Sequence, residues 1–214
     1  MAVKPWMGVV NNSVPTGYKP NKLEGSKPEA ELELDWVHGY RCHDARNNLR
    51  YTAGGDIVYH AAGVGVVLNT ASHTQKFFMG HNDDIHCLAT DPSGKYIATG
   101  QIGPKPRLIV WDTTTMQSVQ LIVAPLTKGI KTVAFSPNGK YLAASALEDK
   151  HTIAVFDWKP TPKNKGKPLA PVALGRGPSS AVLSLGFNAS SDQVVATCVK
   201  EVQFYTFANG KLQG

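Results

Sequence analysis

Histidine and cysteine come close together twice in this 214-residue chain: His38, Cys42 and His43, and again His81, His86 and Cys87. Such side chains hold zinc when four of them reach one tetrahedral site, usually as two spaced pairs. Neither set meets a second cluster at such spacing, so neither predicts a metal centre. Serine, histidine and aspartate are scattered, but the Gly-x-Ser-x-Gly turn that exposes a nucleophilic serine is missing. Gly63-Val64-Gly65 is half a dinucleotide loop, without the third glycine or a following helix. Gly175-Arg176-Gly177 lacks the Lys-Ser/Thr of a phosphate loop. No catalytic residue, cofactor or metal is predicted, and the chain reads as a non-enzyme.

What remains is the chemistry of charge and aromatic contact. Lysines and arginines number 22 against 16 acidic residues, a net charge of +6. Lys159, Lys163, Lys165, Lys167 and Arg176 fall in a stretch without one acid, and Lys4, Lys19, Lys22 and Lys27 dot the N-terminal part. The plain reading of the first group is a solvated loop. The functional reading is an acidic partner. Nucleic acid is not expected, because zinc-ligand spacing, a basic helix and an aromatic RNP run are all missing. Nor is a membrane, since no apolar run approaches spanning length. Trp6 stands in a Pro/Gly-rich segment with nothing local to bury against. It either docks on the chain's own folded part or anchors in a groove of a partner, as aromatics do at interface hot spots. Tyr18 offers a weaker version of the same.

The elements that must carry these residues repeat. DPSGKYIATG at 91–100 recurs as SPNGKYLAAS at 136–145 and, more weakly, as NASSDQVVATC at 188–198. Each copy is a tight turn followed by a short apolar strand. Each leads to a second strand, IVWD, AVFD or QFYT, ending at Asp112, Asp157 and Thr206. The spacing of roughly 45–52 residues is close to the period of four-stranded propeller blades. No window carries a long 3.6-residue apolar period, so helices should be few. Reading backward, TAGGDIVYHA at 52–61 aligns with the same turn-strand unit, and Val66-Val67-Leu68-Asn69 takes the place of the second strand. That makes a fourth, degenerate copy.

The repeats resemble the WD-repeat family. Gly80-His81 matches its opening dipeptide and Trp111-Asp112 its closing one. The resemblance implies a hydrogen-bonded set of His, Ser/Thr, Asp and Trp inside a blade. His81, Thr99 and Trp111 supply three of the four, while Gly103-Pro104-Lys105-Pro106 stands where the aspartate belongs. The second copy keeps Ser145, Asp149 and Phe156-Asp157 without the Gly-His, and the third has neither end.

A distinctive block precedes the repeats: Leu32-Glu33-Leu34-Asp35-Trp36, Gly39-Tyr40-Arg41, Asp44, Arg46-Asn47-Asn48, then Gly55-Asp56-Ile57-Val58-Tyr59. It resembles the hydrophobic motif of the echinoderm microtubule-associated protein (EMAP)-like family, and the likeness runs over residues 30–207. The resemblance implies a non-enzymatic protein bound to tubulin and microtubules, in the cytoplasmic cytoskeleton or on axonemal doublets among other axonemal proteins. The alternative is a propeller adaptor that scaffolds a peptide or signalling complex without tubulin. Under the first reading Lys4, Trp6, Tyr18, Lys19, Lys163, Lys165 and Lys167 are the candidate tubulin contacts. Trp36, Gly39, Tyr40, Arg41, Asp44 and Asn47, with His81, Thr99, Trp111 and Asp112, are structural.

The expected fold is therefore all-β: a partial WD-repeat propeller of about four blades, not closed by this chain alone, behind an extended N-terminal tail. The expected divisions are a basic Pro/Gly-rich tail at 1–30, the EMAP-like motif with a first degenerate blade at 31–79, and blades at 80–127, 128–178 and 179–214. The missing blades are expected from further chain or from a partner, because a last blade ending in an unpaired strand would invite aggregation. Three cysteines make no disulfide framework, and without a signal peptide the chain reads as cytosolic.

Overall fold

The computed structural model describes residues 6–19, 30–123, 125–161, 169–208 and 210–214, with only the backbone of Trp6. The chain divides into two compact units, Met1–Leu34 and Asp35–Gly214.

The first unit corrects one expectation. The tail is not extended throughout, because α1 (Trp6–Asn12) forms a short helix. The reason is local. Prolines stand at positions 5 and 15, and the stretch between them is free of proline, so nothing removes a helical N–H there. The helix stops at Ser13, whose N–H and Oγ both bond the Val9 carbonyl, at 3.0 and 2.8 Å.

The second unit is built from four antiparallel strand quartets. The first holds β1 (Arg50–Tyr51), β2 (Ile57–Ala61), β3 (Val64–Asn69) and β4 (Thr74–Phe78). The second holds β5 (Ile85–Thr90), β6 (Tyr96–Gln101), β7 (Arg107–Asp112) and β8 (Ser118–Val123). The third holds β9 (Ile130–Phe135), β10 (Tyr141–Ala146), β11 (Ile153–Asp157) and β12 (Ala173–Gly175). The fourth holds β13 (Val182–Phe187), β14 (Gln193–Cys198), β15 (Val202–Ala208) and β16 (Gly210–Gln213). This is a partial β-propeller. Its first and last quartets share no strand pairing among the described residues, and the chain does not close the ring.

The turn before the second strand is fixed the same way in three quartets. Its first residue turns a side-chain oxygen back to accept the N–H that opens the strand. Asp91 Oδ1 accepts from Tyr96 N at 2.8 Å, Ser136 Oγ from Tyr141 N at 2.8 Å, and Asn188 Oδ1 from Gln193 N at 3.1 Å. Short polar side chains favour such turns because they mimic a backbone acceptor. Gly94, at φ +70°, has a further reason to be glycine. A Cβ there would lie 2.6 Å from the backbone nitrogen of Ala53, in the neighbouring quartet's turn.

Quartets stack face on face through three apolar layers. Val58, Val67 and Phe78 meet Leu88, Ile97, Ile109 and Trp111, with Trp111 stacked on Phe78 at 4.8 Å. Ala98, Leu108, Val110 and Ile122 share a layer with Leu142, Ala144 and Phe156. Ala143, Ile153 and Val155 share the third with Val194, Ala196 and Tyr205.

The two ends of this stack differ. The outer face of the first quartet is covered by residues 36–41, as described below. The outer face of the last is open: Val202 and Phe204 are 56% and 59% exposed, whereas their third-quartet counterparts Ile153 and Val155 are fully buried. The strand edge of the last quartet is a different matter. Strand β16 pairs with β15 and, in parallel, with β12, joining the last two quartets into one eight-stranded sheet. The final strand is therefore paired on both sides, and the unsatisfied feature is an apolar face.

Candidate functional site

Within the second quartet the Gly-His and Trp-Asp ends of the repeat meet. His81 Nε2 lies 2.7 Å from Thr99 Oγ1, and Trp111 Nε1 donates to the same oxygen at 3.1 Å. The other ring nitrogen of His81 faces Gln101 Oε1 at 2.8 Å, while Gln101 Nε2 donates to Asn82 Oδ1. These contacts fix the proton. An amide oxygen only accepts, so His81 Nδ1 carries the hydrogen, and Nε2 accepts the Thr99 hydroxyl. The ring is neutral, in line with burial holding its pKa down to about 4 against the opposing bond from Gln101. Gln101 thus fills the place the sequence leaves without an aspartate. It lies two residues beyond Thr99 on the same strand, hence on the same face, and that spacing was the available clue. Asp112 serves the next turn. Burial pushes its carboxyl up, but the N–H groups of Thr115 and Thr114 and the Lys95 ammonium outweigh that and hold it below its ordinary value. In the third quartet no equivalent set forms: Ser145 is buried and its hydroxyl has no partner.

The block before the repeats is clamped onto the first quartet. The Trp36 ring stacks on His73 at 4.7 Å. Val37 exchanges two bonds with the Gln75 amide, N–H to Oε1 at 2.8 Å and Nε2 to the carbonyl at 3.0 Å, and Gln75 also donates to the Tyr59 hydroxyl. Gly39 approaches Ala61, where a Cβ would meet the Ala61 Cβ at 3.6 Å. Tyr40 packs edge-on to Tyr59 and its hydroxyl donates to Asn48 Oδ1. The Asn48 amide in turn donates to the Arg41 carbonyl. Asn47 takes a left-handed turn at φ 55°, a conformation asparagine tolerates better than most residues.

Arg41 is the junction. It is 9% exposed and forms a two-pronged pair with Asp44, at 2.7 Å on both prongs, and a third contact with Asp84 at 3.1 Å. Asp84 immediately precedes β5, so this one side chain ties the leading block to the second quartet. The hydrogen bonds from Arg41 hold the Asp44 carboxyl down to about 2. His86 Nε2 approaches the same carboxylate at 3.8 Å. His60 is fully buried nearby with both ring nitrogens unpartnered, and burial, with Arg41 and His86, holds it down to about 4.

The inner strands β5, β9 and β13, with residues 46–50, enclose a cavity of about 280 Å³. Its lining includes Arg46, Arg50, Lys131 and His86 and no acidic residue.

Lys4, Lys163, Lys165 and Lys167 lie outside the described residues, as do Lys22, Lys27 and the Trp6 side chain. Tyr18 and Lys19 are exposed in the first unit. Lys159 lies over the Trp158 ring at 5.9 Å. Of the histidine–cysteine sets, Cys42 is exposed and Cys87 is buried, its thiol pushed up to about 12 by burial. Among the described residues no group of three His, Cys, Asp or Glu side chains is placed to hold a metal ion.

Comparison with known proteins agrees with this anatomy. Residues 27–66 match the HELP motif, and residues 72–112 and 117–157 match the WD domain, G-beta repeat. The chain is 32% identical over 197 residues to human Echinoderm microtubule-associated protein-like 1, covering 86% of this chain and 23% of that protein. It is 31% identical over 214 residues to the 77 kDa echinoderm microtubule-associated protein of Lytechinus variegatus, covering 92% of this chain and 31% of that one. Rat Echinoderm microtubule-associated protein-like 2 is 32% identical over 197 residues, covering 86% of this chain and 29% of that protein. The chain therefore spans about a quarter to a third of these relatives.

Proposed function

This chain belongs to the echinoderm microtubule-associated protein-like family, and from that premise we propose a non-enzymatic microtubule-associated protein that binds the tubulin lattice and helps to organise it. The observation that carries the reading is the clamped block. Trp36, Val37, Tyr40 and Arg41 are spent on holding a leading segment against the first two quartets, and this block lies in the matched HELP motif of a chain whose relatives are named for microtubule association. The proposed contacts are electrostatic, from a chain of net charge +6 to an acidic lattice. Lys163, Lys165 and Lys167 supply one basic segment, and Lys4, Trp6, Tyr18 and Lys19 a second attachment from the tail. The proposed location is the cytoplasmic cytoskeleton, with axonemal doublets and their resident proteins as a further station.

Co-sedimentation with stabilised microtubules tests this directly. Binding should weaken as salt rises, because exposed charges are screened beyond about 8 Å at physiological ionic strength. Replacing Lys163, Lys165 and Lys167 together with glutamate should weaken it further, and removal of the acidic tubulin tails should have the same effect. Trp6→Ala should cost roughly 1–3 kcal/mol of affinity without changing the melting temperature, as for an aromatic anchor on a partner. A wild-type chain that never pellets with microtubules leaves the adaptor reading, a scaffold for a peptide or signalling complex.

A further inference from the structure

The cavity between the inner strands collects positive charge. Three cations converge on it and none has a carboxylate partner among the described residues. Arg46 Nη1 donates only to the backbone carbonyls of Cys42 and Ala45. Arg50 Nη1 donates only to the carbonyl of Leu49, its own neighbour, while burial works against its charge. Lys131 has no ion pair or side-chain hydrogen bond among the described residues. Elsewhere the chain does pair its semi-buried cation, as Arg41 with Asp44 and Asp84 shows. Like charges facing one volume repel, and a chain that leaves them so gains when an anion enters.

The uncharged lining fits the same guest. Among the described residues, Thr90 presents a hydroxyl that is buried without a partner, and Ser184 a hydroxyl whose one bond is a long 3.4 Å contact to a neighbouring carbonyl. His86 is held neutral by burial, so its ring neither adds charge nor repels the three cations. The inner strands β5, β9 and β13 each pair on one side only, with β6, β10 and β14, so each turns an edge of free backbone groups toward the axis. Free strand edges and separated cations together suit an extended chain carrying carboxylates more than a single compact ion.

We infer that this axial cavity receives an acidic peptide segment, with one carboxylate seated between Arg50 and Lys131 and Arg46 at the mouth. The inference takes its ligand class from the microtubule reading above, which calls for acidic protein partners, but it assigns the contact to the axis rather than to the basic segment at 163–167 or the tail.

The test uses a fluorescently labelled oligoglutamate peptide and the full chain, with binding read by fluorescence anisotropy. Arg50→Gln and Lys131→Gln should each weaken binding about tenfold, the loss of one charge-assisted hydrogen bond. Lys159→Gln and Lys211→Gln, outside the cavity, should leave it unchanged. Inorganic phosphate at matched ionic strength should not displace the peptide. A second measurement needs no variant: the peptide should protect Lys131 of the wild-type chain from amine acylation while Lys211 reacts as before. Unchanged affinity in both cavity variants, or equal acylation of Lys131 with and without peptide, overturns the proposal. Displacement by phosphate overturns it too, leaving a simple anion site. Microtubule pelleting run alongside separates the two readings. Pelleting without oligoglutamate binding refutes the axial site alone, and oligoglutamate binding without pelleting refutes the microtubule reading while supporting the site.

Discussion

Thr99 holds one hydroxyl between a buried indole and a half-buried imidazole, and removing it strands both. Thr99→Val keeps the shape but leaves Trp111 Nε1 without an acceptor and His81 Nε2 without a donor. The expected loss is about 1–3 kcal/mol, the cost of stranding a buried polar group. Ser145 makes the control, since its hydroxyl is buried with no partner. Ser145→Ala should be neutral or slightly stabilising in the same urea unfolding measurement, and equal losses in both variants would refute the assignment. His81, Thr99 and Trp111 were legible from the ends of the repeat motif; Gln101 was not, because its identity departs from the pattern and only its strand face betrays it. The histidines also set a pH dependence. Burial brings His60 and His81 from 6.5 down to about 4, so between those values the unfolded chain binds protons that the folded chain refuses. Stability should therefore be full above about 6.5 and fall as pH drops toward 4, by up to about 1.4 kcal/mol per pH unit for each histidine. His60→Leu removes one of these without losing a hydrogen bond, so the slope should flatten and stability at pH 7 should not drop. Asp44 acts in a lower window. Its carboxyl is depressed from 3.8 to about 2, so its contribution is present above 3.8 and disappears as pH falls through 2.

At the scale of elements, the segment at 36–48 is held by a few directional contacts rather than by strand pairing. Arg41 carries the largest share, with both prongs on Asp44 and one on Asp84. Arg41→Lys keeps the charge but cannot reproduce a planar two-pronged bond. It should speed amide exchange across 36–48 and at Asp84 while leaving β9 to β12 protected, which hydrogen-exchange mass spectrometry would resolve. Uniform deprotection of the whole chain would mean that this segment is part of the common core rather than a separately attached strap. The segment was legible as a block from its own residues. Its anchors were not, because His73 comes from the turn between β3 and β4 and Gln75 from β4 itself, and nothing in their local sequence marks them as partners of Trp36 and Val37. The turns were legible for the opposite reason: Asp91, Ser136 and Asn188 bond within five residues of themselves, so sequence order already contains the contact. The short helix at 6–12 escaped because proline and glycine content described the tail as a whole, whereas helix formation depended on one proline-free stretch within it.

For the whole molecule, the consequence of an unclosed ring falls on a face, not on an edge. Each quartet from the first to the third buries one face on the next, and the last offers its corresponding face to solvent. The sequence predicted an open ring from the number of repeats, and treated an unpaired final strand as the hazard that further blades would remove. Strand β16 finds β12 instead, a parallel pairing that no local pattern announces. Contiguous exposed apolar surface favours association, so the chain should self-associate in proportion to concentration, as sedimentation velocity would show. Two paired substitutions separate covered from open positions. Ile153 and Val202 hold equivalent places in the third and fourth quartets, one fully buried and the other 56% exposed. Ile153→Ala should cost about 2–5 kcal/mol, the range for emptying a packed aliphatic site. Val202→Thr, with Phe204→Thr beside it, removes no packed contact, so it should leave the denaturant midpoint where it was and reduce self-association. If the double substitution instead lowers the midpoint as far as Ile153→Ala does, the fourth face is covered in solution, and the asymmetry between a strapped first quartet and a bare last one is wrong.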